Sequence, residues 1–386
     1  MYDILIRAGH VVDPSQNISK PLDLAVADGK IAALFEPGTA ADAAITVDAA
    51  GNLVTPGLID LHVHTYTHVP LGIDADLLSL SGGVTTMLDT GSAGSNNFDA
   101  FRRSCIDTAR CRVLALVNLS RAGLVAAELG ELMDRRYADP AGVVRTIQRN
   151  PGVAVGVKIR AGAHIIGKGA DGWANLNDAI RAARESNTWL MVHIGECPMS
   201  LSEIVNELSP GDVITHCFKG GSTRVTDDAH RIFDAVRAAR ERGVGFDVGH
   251  GFGSFSWEVA DAALADGFEP TTISTDLHEM NLHGPVFDMP TTMSKFLMLG
   301  IPIERVIAMS TTEPARTLGL QDEIGSLRTG AKADVTVLEQ LDGRFVFKDS
   351  YGKQRTGNRL LVAAATVLGG KLLPGGGGRR MRYLAG

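Results

Sequence analysis

Short runs in which apolar and polar residues alternate make up most of the first 55 residues. They occupy residues 3–7, 22–27, 31–35 and 45–47. A side-chain period of two predicts β-strands, and the pair Asp28 and Gly29 between the second and third runs predicts a tight hairpin turn. Because no stretch of helical spacing separates these runs, we expect a small β-sheet here.

From residue 58 onward, short apolar runs are separated by stretches with apolar residues at helical spacing. Eight apolar runs occur before residue 280, beginning near Leu58, Gly83, Cys111, Gly152, Thr188, Asp212, Gly243 and Thr271. The helical stretches include residues 98–109, 175–185, 228–242 and 257–265. Eight strand-helix repeats, with starts 24 to 41 residues apart, predict an α/β fold with a closed (β/α)8 TIM barrel. An open, doubly wound sheet is the alternative, because periodicity alone does not show closure.

The C-terminal part of the chain returns to strand and turn residues. Residues 292–320 have helical spacing, whereas residues 324–338, 345–347 and 360–368 read as strands and turns. This stretch is too short to bury a core alone. We therefore expect it to join the N-terminal strands in a small β-sandwich domain made of residues 1–55 and 321–386, with the barrel at residues 56–320.

Composition and charge exclude several classes of protein. The 386 residues include 37 Lys and Arg against 44 Asp and Glu, a net charge of −7, which argues against nucleic-acid and anionic-membrane partners. Hydrophobic residues at 45% and charged residues at 21% are typical of a globular protein. The four cysteines lack paired spacing, and neither a signal peptide nor an apolar run of membrane-spanning length is visible. We expect a cytoplasmic protein.

Side chains that can bind metal stand where the apolar runs of the barrel end. They are His62, His64, Lys158, His193, His216 and Asp276. Each has an ordinary structural explanation by itself, such as a buried histidine with one hydrogen bond or half of a buried ion pair. Barrel strands, however, direct their last residues toward one mouth. The sequence therefore predicts that all six side chains meet in a metal site.

The chemistry of this set indicates which metal it would hold. Four imidazoles and one carboxylate suit zinc or a similar divalent ion. A lysine ammonium has only donors and cannot be a ligand. If Lys158 reacts with carbon dioxide, the resulting carbamate offers two oxygens and could bridge two cations. We expect two divalent ions, with zinc as the first candidate, and a carbamate on Lys158.

The ligand pattern resembles the amidohydrolase superfamily, in its binuclear type with a carboxylated lysine. The resemblance covers nearly the whole chain. It implies that His62, His64 and Asp276 hold one metal and that His193 and His216 hold the other. It also implies that carboxylated Lys158 bridges both.

Within that superfamily the chain resembles the dihydroorotase-like branch, with departures. Dihydroorotases place an arginine soon after the histidine pair, whereas Thr65 and Tyr66 follow here. Cyclic amidases often have a proline shortly after the strand-eight aspartate, which is absent here. Residues 62–68, 156–160, 215–219 and 247–254 look most like a bacterial deacetylase group. That group is associated with removing acetyl groups from N-acetyl amino acids or O-acetyl hydroxy acids.

Two further residues are candidates for binding substrate at the same mouth. Arg160 lies two positions beyond Lys158, on the same face of the strand, and its guanidinium could hold a substrate carboxylate. A salt bridge at the rim is the alternative role. His250, within the glycine-rich run 249–253, could polarise the scissile carbonyl or orient the substrate, and a structural hydrogen bond is its alternative.

These residues together predict a metal-dependent hydrolase. A hydroxide that bridges two metals would attack an acyl carbonyl, and Asp276 would pass the proton to the leaving amine or alkoxide. We expect the substrate to be a small amide or ester that carries a carboxylate, with acetyl as the acyl group. A cyclic amide hydrolase is the alternative, and a non-catalytic scaffold is the third hypothesis. The expected partner is a small-molecule substrate, with a homo-oligomer left open.

Overall fold

The computed structural model describes residues 1–125 and 127–373, and of residues 79–81 it describes the main chain only. Residues 374–386 of the predicted composite domain lie outside the described residues. The strands are β1 (Tyr2–Asp13), β2 (Ile18–Ala27), β3 (Lys30–Phe35), β4 (Ala43–Asp48), β5 (Leu53–Pro56), β6 (Leu58–Val63), β7 (Val84–Gly94), β8 (Arg112–Asn118), β9 (Ala154–Arg160), β10 (Trp189–His193), β11 (Val213–Thr215), β12 (Gly245–Asp247), β13 (Val335–Lys348), β14 (Gln354–Leu368) and β15 (Lys371–Leu372).

The α-helices are α1 (Ala75–Gly82), α2 (Phe98–Phe101), α3 (Pro140–Arg149), α4 (Ala163–Ile166), α5 (Gly169–Glu185), α6 (Leu201–Glu207), α7 (Asp234–Glu241), α8 (Trp257–Ala265), α9 (Met289–Met298), α10 (Ile303–Ser310) and α11 (Thr312–Thr317). Short 3-10 turns lie at Pro14–Gln16, Ala127–Leu129 and Arg135–Tyr137, and a π-helical turn lies at Arg102–Ile106. Within the described ranges, none of these helices has the length and apolar character that would let it cross a membrane.

Seven parallel strands form the barrel, and an eighth segment closes it. Strands β6 to β12 pair in sequence order. Residues 272–277 then bridge both edges: the Val248 N–H donates to Thr272 O at 3.1 Å, and the Asp276 N–H donates to His62 O at 2.7 Å. The predicted closed α/β barrel is therefore confirmed over the open sheet, and the eighth run contributes isolated bridges in place of a regular strand.

Amphipathic helices cover the barrel as their apolar spacing predicts. In α5, Leu176, Ala179 and Ala183 recur at helical spacing and are buried. The helix predicted over residues 228–242 begins only at Asp234, because residues 227–231 form a turn in which His230 adopts a φ of 61°. The helical region predicted over 292–320 is divided into α9, α10 and α11.

Strands from both ends of the chain share one mixed sheet. Its order is β15-β14-β13-β5-β1-β2-β3, with β4 parallel to β1. Strand β5 joins the two ends, since it pairs with β1 on one side and with β13 on the other. Asp28 and Gly29 connect β2 to β3 with φ values of 52° and 72°, as the predicted hairpin requires. The exact limits of the composite domain remain a prediction.

Candidate metal centre

The barrel brings all six predicted ligand residues to the carboxyl ends of its strands. Each follows from the local strand geometry: the two imidazoles, two positions apart, lie on one side at the end of β6. The others lie near the end of β9, at the end of β10, directly after β11, or in the closing segment. These residues are His62, His64, Lys158, His193, His216 and Asp276. All six are at least half-buried, so their polar atoms are removed from bulk water.

Asp276 lies at the centre of the group. Its Oδ1 is 3.3 Å from Nε2 of His62 and 3.3 Å from Nε2 of His64. Its Oδ2 is 3.9 Å from Nε2 of His216. His62, His216 and Asp276 each offer one ligand atom, and these atoms lie within 4.8 Å of one another, which is the arrangement that could hold a metal ion.

His193 and Lys158 complete the group on either side of this trio. The Nδ1 of His193 lies 2.8 Å from Nε2 of His216, and the two rings are nearly perpendicular at 87°. The Nζ of Lys158 lies 3.3 Å from Nε2 of His62. The six side chains therefore form one continuous set of contacts.

Hydrogen bonds fix which nitrogen of each imidazole faces Asp276. Thr215 donates to Asp247 Oδ2 at 2.7 Å, so its oxygen accepts from Nδ1–H of His62 at 2.8 Å. Nδ1 of His216 donates to the carbonyl of Gly249 at 2.6 Å. In His62 the Nε2 lone pair is then free to face the carboxylate, whereas Nε2 of His216 accepts from Nδ1–H of His193.

The histidines are neutral because they are buried. Burial lowers the pKa of His64 to about 3 and that of His216 to about 4, and it lowers the pKa values of His62 and His193 well below the ordinary value. Because Nδ1–H of His62 donates to Thr215, its neutral Nε2 is an acceptor, as is the Asp276 oxygen 3.3 Å away. Such a set repels itself unless a cation lies between its members, so the donor set fits a divalent metal.

Lys158 is a buried amine with few partners. Among the described residues its Nζ has hydrogen-bond contacts only with Nε2 of His62 and Sδ of Met191, both at 3.3 Å, and no carboxylate there lies within ion-pair distance of it. Burial lowers the pKa of Lys158 to about 7. Gly91 makes room for the side chain, because a Cβ at Gly91 would lie 2.7 Å from Cβ of Lys158. A buried amine with so few partners fits a lysine that carries a carbamate.

Comparison with known proteins gives this centre its family. Residues 53–367 match the model of the amidohydrolase family. The chain belongs to the amidohydrolase family. It is 36% identical over 348 residues to a deacetylase of Agrobacterium fabrum, covering 90% of this chain and 85% of that protein. The crystal structures of an adenine deaminase and of a dihydroorotase each match with a TM-score of 0.88 and 34% identity, covering 96% of this chain and 99% of theirs.

Two of the predicted ligand residues adopt strained backbone conformations. His216 has a φ of 72° and Asp276 a φ of 50°, which costs of order 1–3 kcal/mol for each residue. The glycine-rich run lies against them: a Cβ at Gly251, whose φ is +57°, would lie 2.4 Å from Oδ2 of Asp276. The glycines therefore let the main chain approach the ligand side chains.

The two residues predicted to bind substrate occupy different surroundings. Arg160 lies opposite His193 in the β9–β10 register, and its Nη1 donates to the buried carboxylate of Glu131. Its Nε and Nη2 form no hydrogen bond within the described part of the chain. Burial is the main cause of the lowered pKa of His193, and the nearby Arg160 cation lowers it further. The guanidinium therefore lies beside the centre.

His250, in contrast, is fully buried with both ring nitrogens occupied. Its Nδ1 donates to Gly251 O at 3.0 Å, and its Nε2 accepts from Nζ of Lys295 at 2.6 Å. The ring stacks on Phe255 with centroids 4.6 Å apart. Because both nitrogens are engaged, this geometry favours the alternative role over the expected substrate contact: a structural hydrogen bond through which His250 supports the loop after β12.

The sequence did not indicate the residues that form hydrogen bonds with the predicted ligand imidazoles and their partners. Besides Thr215 and Asp247, these include Ser92, which lies 2.9 Å from Nδ1 of His64, and Asp89, which accepts from the Ser92 N–H at 2.8 Å. Asp89 and Asp247 are carboxylates within apolar strands, a signal that could have indicated them. Glu131 lies in an irregular loop and carries no such signal.

Proposed function

We propose that this amidohydrolase removes an acyl group, with acetyl as the first candidate, from a small amide or ester that carries a carboxylate. N-acetyl amino acids and O-acetyl hydroxy acids are substrates of this kind. The observation that carries the proposal is the meeting of six predicted ligand side chains beside an arginine whose Nε and Nη2 form no hydrogen bond to the described chain. The 36% identity to a protein named deacetylase supports acyl removal.

We propose that the centre holds two divalent ions, with zinc as the first candidate. His62, His64 and Asp276 would hold one, His193 and His216 the other, and a carbamate on Lys158 both. Metal ions in such a centre supply a water that is deprotonated near neutral pH and polarise the carbonyl oxygen of the substrate. The neutral imidazoles and the partner-poor amine support this set.

The protein's own residues would carry the remaining steps. Asp276 takes the proton of the attacking water and returns it to the leaving nitrogen or oxygen, since its carboxylate lies among the ligand nitrogens. Thr215 and Ser92 keep their imidazoles in the ligating tautomer. Arg160 holds the substrate carboxylate through Nε and Nη2. The buried walls of the site exclude bulk water from the reacting groups.

Cyclic amide hydrolysis is the second candidate, favoured by the 34% identity to a dihydroorotase structure. The residues after the histidine pair disfavour it. Thr65 is buried, and its N–H donates to Asp89 Oδ2 at 2.7 Å. This position therefore offers no cation to a ring substrate. Arg160 at the end of β9 offers one instead.

Metal analysis and a substrate panel test the proposal. We expect about two zinc ions per chain in protein expressed with zinc and bicarbonate. Acetylated amino acids or acetylated hydroxy acids should be hydrolysed in preference to hydantoin-like rings. Turnover confined to the rings would favour the second candidate, and protein without bound ions would contradict the metal centre.

Two variants test the assigned roles. Asp276→Asn should lower kcat by about 100-fold or more and retain at least one metal ion. Lys158→Ala should lose metal, with partial recovery of activity when a short carboxylic acid is supplied in solution. A fully metallated and active Lys158→Ala protein would contradict the bridging carbamate.

A further inference from the structure

Glu131 is held in a fixed position beside the metal centre by the loop between β8 and α3. The Leu132 N–H donates to Ile165 O at 3.0 Å, and Nδ2 of Asn175 donates to Leu132 O at 3.3 Å. Gly130, with a φ of +79°, packs so closely that a Cβ there would lie 2.3 Å from His164 O. The loop is therefore anchored to α4 and α5 on both sides of Glu131.

The Glu131 side chain reaches from this loop to Arg160. Its Oε1 accepts from Nη1 of Arg160, and only 1% of the Glu131 side chain is exposed. Its Oε2 is buried without a hydrogen-bond partner among the described residues. Burying a carboxylate with one oxygen unsatisfied is costly. Such an ion pair contributes little to folding stability, which favours a role for it at the site.

The ion pair with Glu131 leaves one edge of the Arg160 guanidinium open. Arg160 keeps 19% of its side chain exposed, and Nε and Nη2 make no hydrogen bond to the described chain. A guanidinium binds a carboxylate through two parallel N–H bonds along one edge. With Nη1 occupied by Glu131, the Nε and Nη2 edge remains, and the plane of the group is already set.

We propose that Glu131 is a positioning residue that orients Arg160 for the substrate carboxylate, and so determines the preference for carboxylate-bearing substrates. This assignment rests on the proposed function. A free arginine loses considerable rotamer entropy when it binds. Fixing Nη1 in advance removes part of that loss, which should appear in KM and leave the chemical step unchanged.

The experiment compares Glu131→Ala and Glu131→Gln with wild type on two matched substrates. One is an N-acetyl amino acid, or the acetylated acid found active in the panel, and the other is its neutral carboxamide. For Glu131→Ala we expect KM for the carboxylate to rise about tenfold or more with kcat within about threefold. KM for the carboxamide should change by less than about twofold, and zinc content should match wild type.

Glu131→Gln keeps an oxygen acceptor for Nη1, so it should restore part of the selectivity. If Glu131→Ala folds poorly, Glu131→Gln alone decides, with a KM increase of about threefold confined to the carboxylate substrate. Asp212→Asn is the matched control. Asp212 is also a buried carboxylate paired with an arginine, Arg184, but it precedes β11 at the opposite end of the barrel. Its substitution should leave the substrate preference unchanged.

Arg160→Leu separates failure of the positioning role from failure of the proposed function. If Arg160→Leu abolishes the preference and both Glu131 variants keep it, the positioning role is wrong and the proposed function stands. If wild type shows no preference, or Arg160→Leu keeps it, the carboxylate contact fails and the role of Glu131 fails with it. Equal changes on both substrates would also overturn the proposal. Calorimetry should give Kd values for the deacylated acid that rank wild type and the variants in the same order as KM, without turnover.

Discussion

At the scale of single residues, Gly249 packs directly against the imidazole arrangement. Its φ is +45°, and a Cβ there would lie 2.4 Å from Oγ1 of Thr215 and 2.8 Å from Nδ1 of His216. Gly249→Ala should therefore displace the predicted ligand imidazoles. We expect metal affinity to fall by about 100-fold, and zinc content and kcat to fall with it. Zinc per chain and kcat are the measurements. Gly253→Ala is the control, because nothing lies within 4 Å of its added Cβ; equal behaviour of the two variants would contradict this account.

Lys158 should form its carbamate in a pH-dependent way. Burial lowers the pKa of Lys158 from 10.5 to about 7, and only the neutral amine reacts with carbon dioxide. At fixed dissolved carbon dioxide, carbamate should increase as the pH rises through about 7, because the amine loses its proton and carbamate formation releases another. Carbon-13 NMR of chelator-stripped protein with labelled carbon dioxide measures this.

Lys295 provides the control for that measurement. Burial also lowers its pKa to about 7, but its Nζ contacts Nε2 of His250, the Pro285 carbonyl at 3.0 Å and the Lys348 carbonyl at 2.8 Å. Lys295→Met should keep the carbamate signal and Lys158→Met should remove it. A signal that survives in Lys158→Met would place the modification elsewhere.

The sequence predicted the six side chains that meet at the barrel mouth but missed the residues that orient them. Histidines such as His193 and His216 were visible because each ends an apolar strand, where a polar residue is unusual. Thr215 could not be distinguished in this way, since hydroxyl residues are common in strands. Glu131 acts on Arg160 across 29 positions of sequence, and such a contact depends on a loop whose path the sequence pattern does not determine.

At the scale of elements, the hairpin of β13 and β14 supports the loop that follows β12. Ser350 at its tip donates to the carbonyls of His250 at 3.2 Å and Gly251 at 3.0 Å, and Gly251 adjoins Asp276. Ser350→Ala should therefore loosen residues 250–257. We expect faster amide hydrogen exchange there, kcat lower by several-fold, and a loss of about 1 kcal/mol in the free energy of unfolding.

Lys353→Met on the same hairpin is the control for Ser350→Ala. Lys353 forms an ion pair of 3.2 Å with Glu258, and both side chains are mostly exposed, so its loss should be nearly neutral. Unchanged exchange at residues 250–257 in Ser350→Ala would show that the hairpin does not support this loop.

The sequence pattern predicted which strands exist better than it predicted how long they are. Each barrel run corresponds to a strand or to the closing segment. Residues 333–338 and 345–347 looked like separate strands, yet β13 continues through Val335–Lys348. The intervening residues 339–344 are mostly polar, because this part of the hairpin is exposed or half-buried and has no buried face to impose alternation. Pairing with β14 holds them in a strand.

At the scale of the whole molecule, part of the terminal sheet packs into the apolar core of the barrel, while residues such as Ile4, Leu24 and Val335 form a separate cluster within the sheet. Phe347 and Leu361 of the sheet belong to the same buried cluster as Met293 and Phe296 of α9. The Leu361 N–H also donates to Oγ of Ser294 at 2.8 Å. Separating the two parts would expose this apolar surface, which is the main source of folding stability.

We therefore expect the barrel of residues 56–320 not to fold as an independent unit. Expressed alone, it should be poorly soluble or lack a cooperative urea transition, whereas the full chain should unfold in one transition that is the same by fluorescence and circular dichroism. The full chain should bind zinc and the barrel fragment should not, since Ser350 of the sheet supports the loop beside Asp276. A fragment with a cooperative transition and two bound zinc ions would instead show that the barrel boundary predicted from sequence is a true folding boundary.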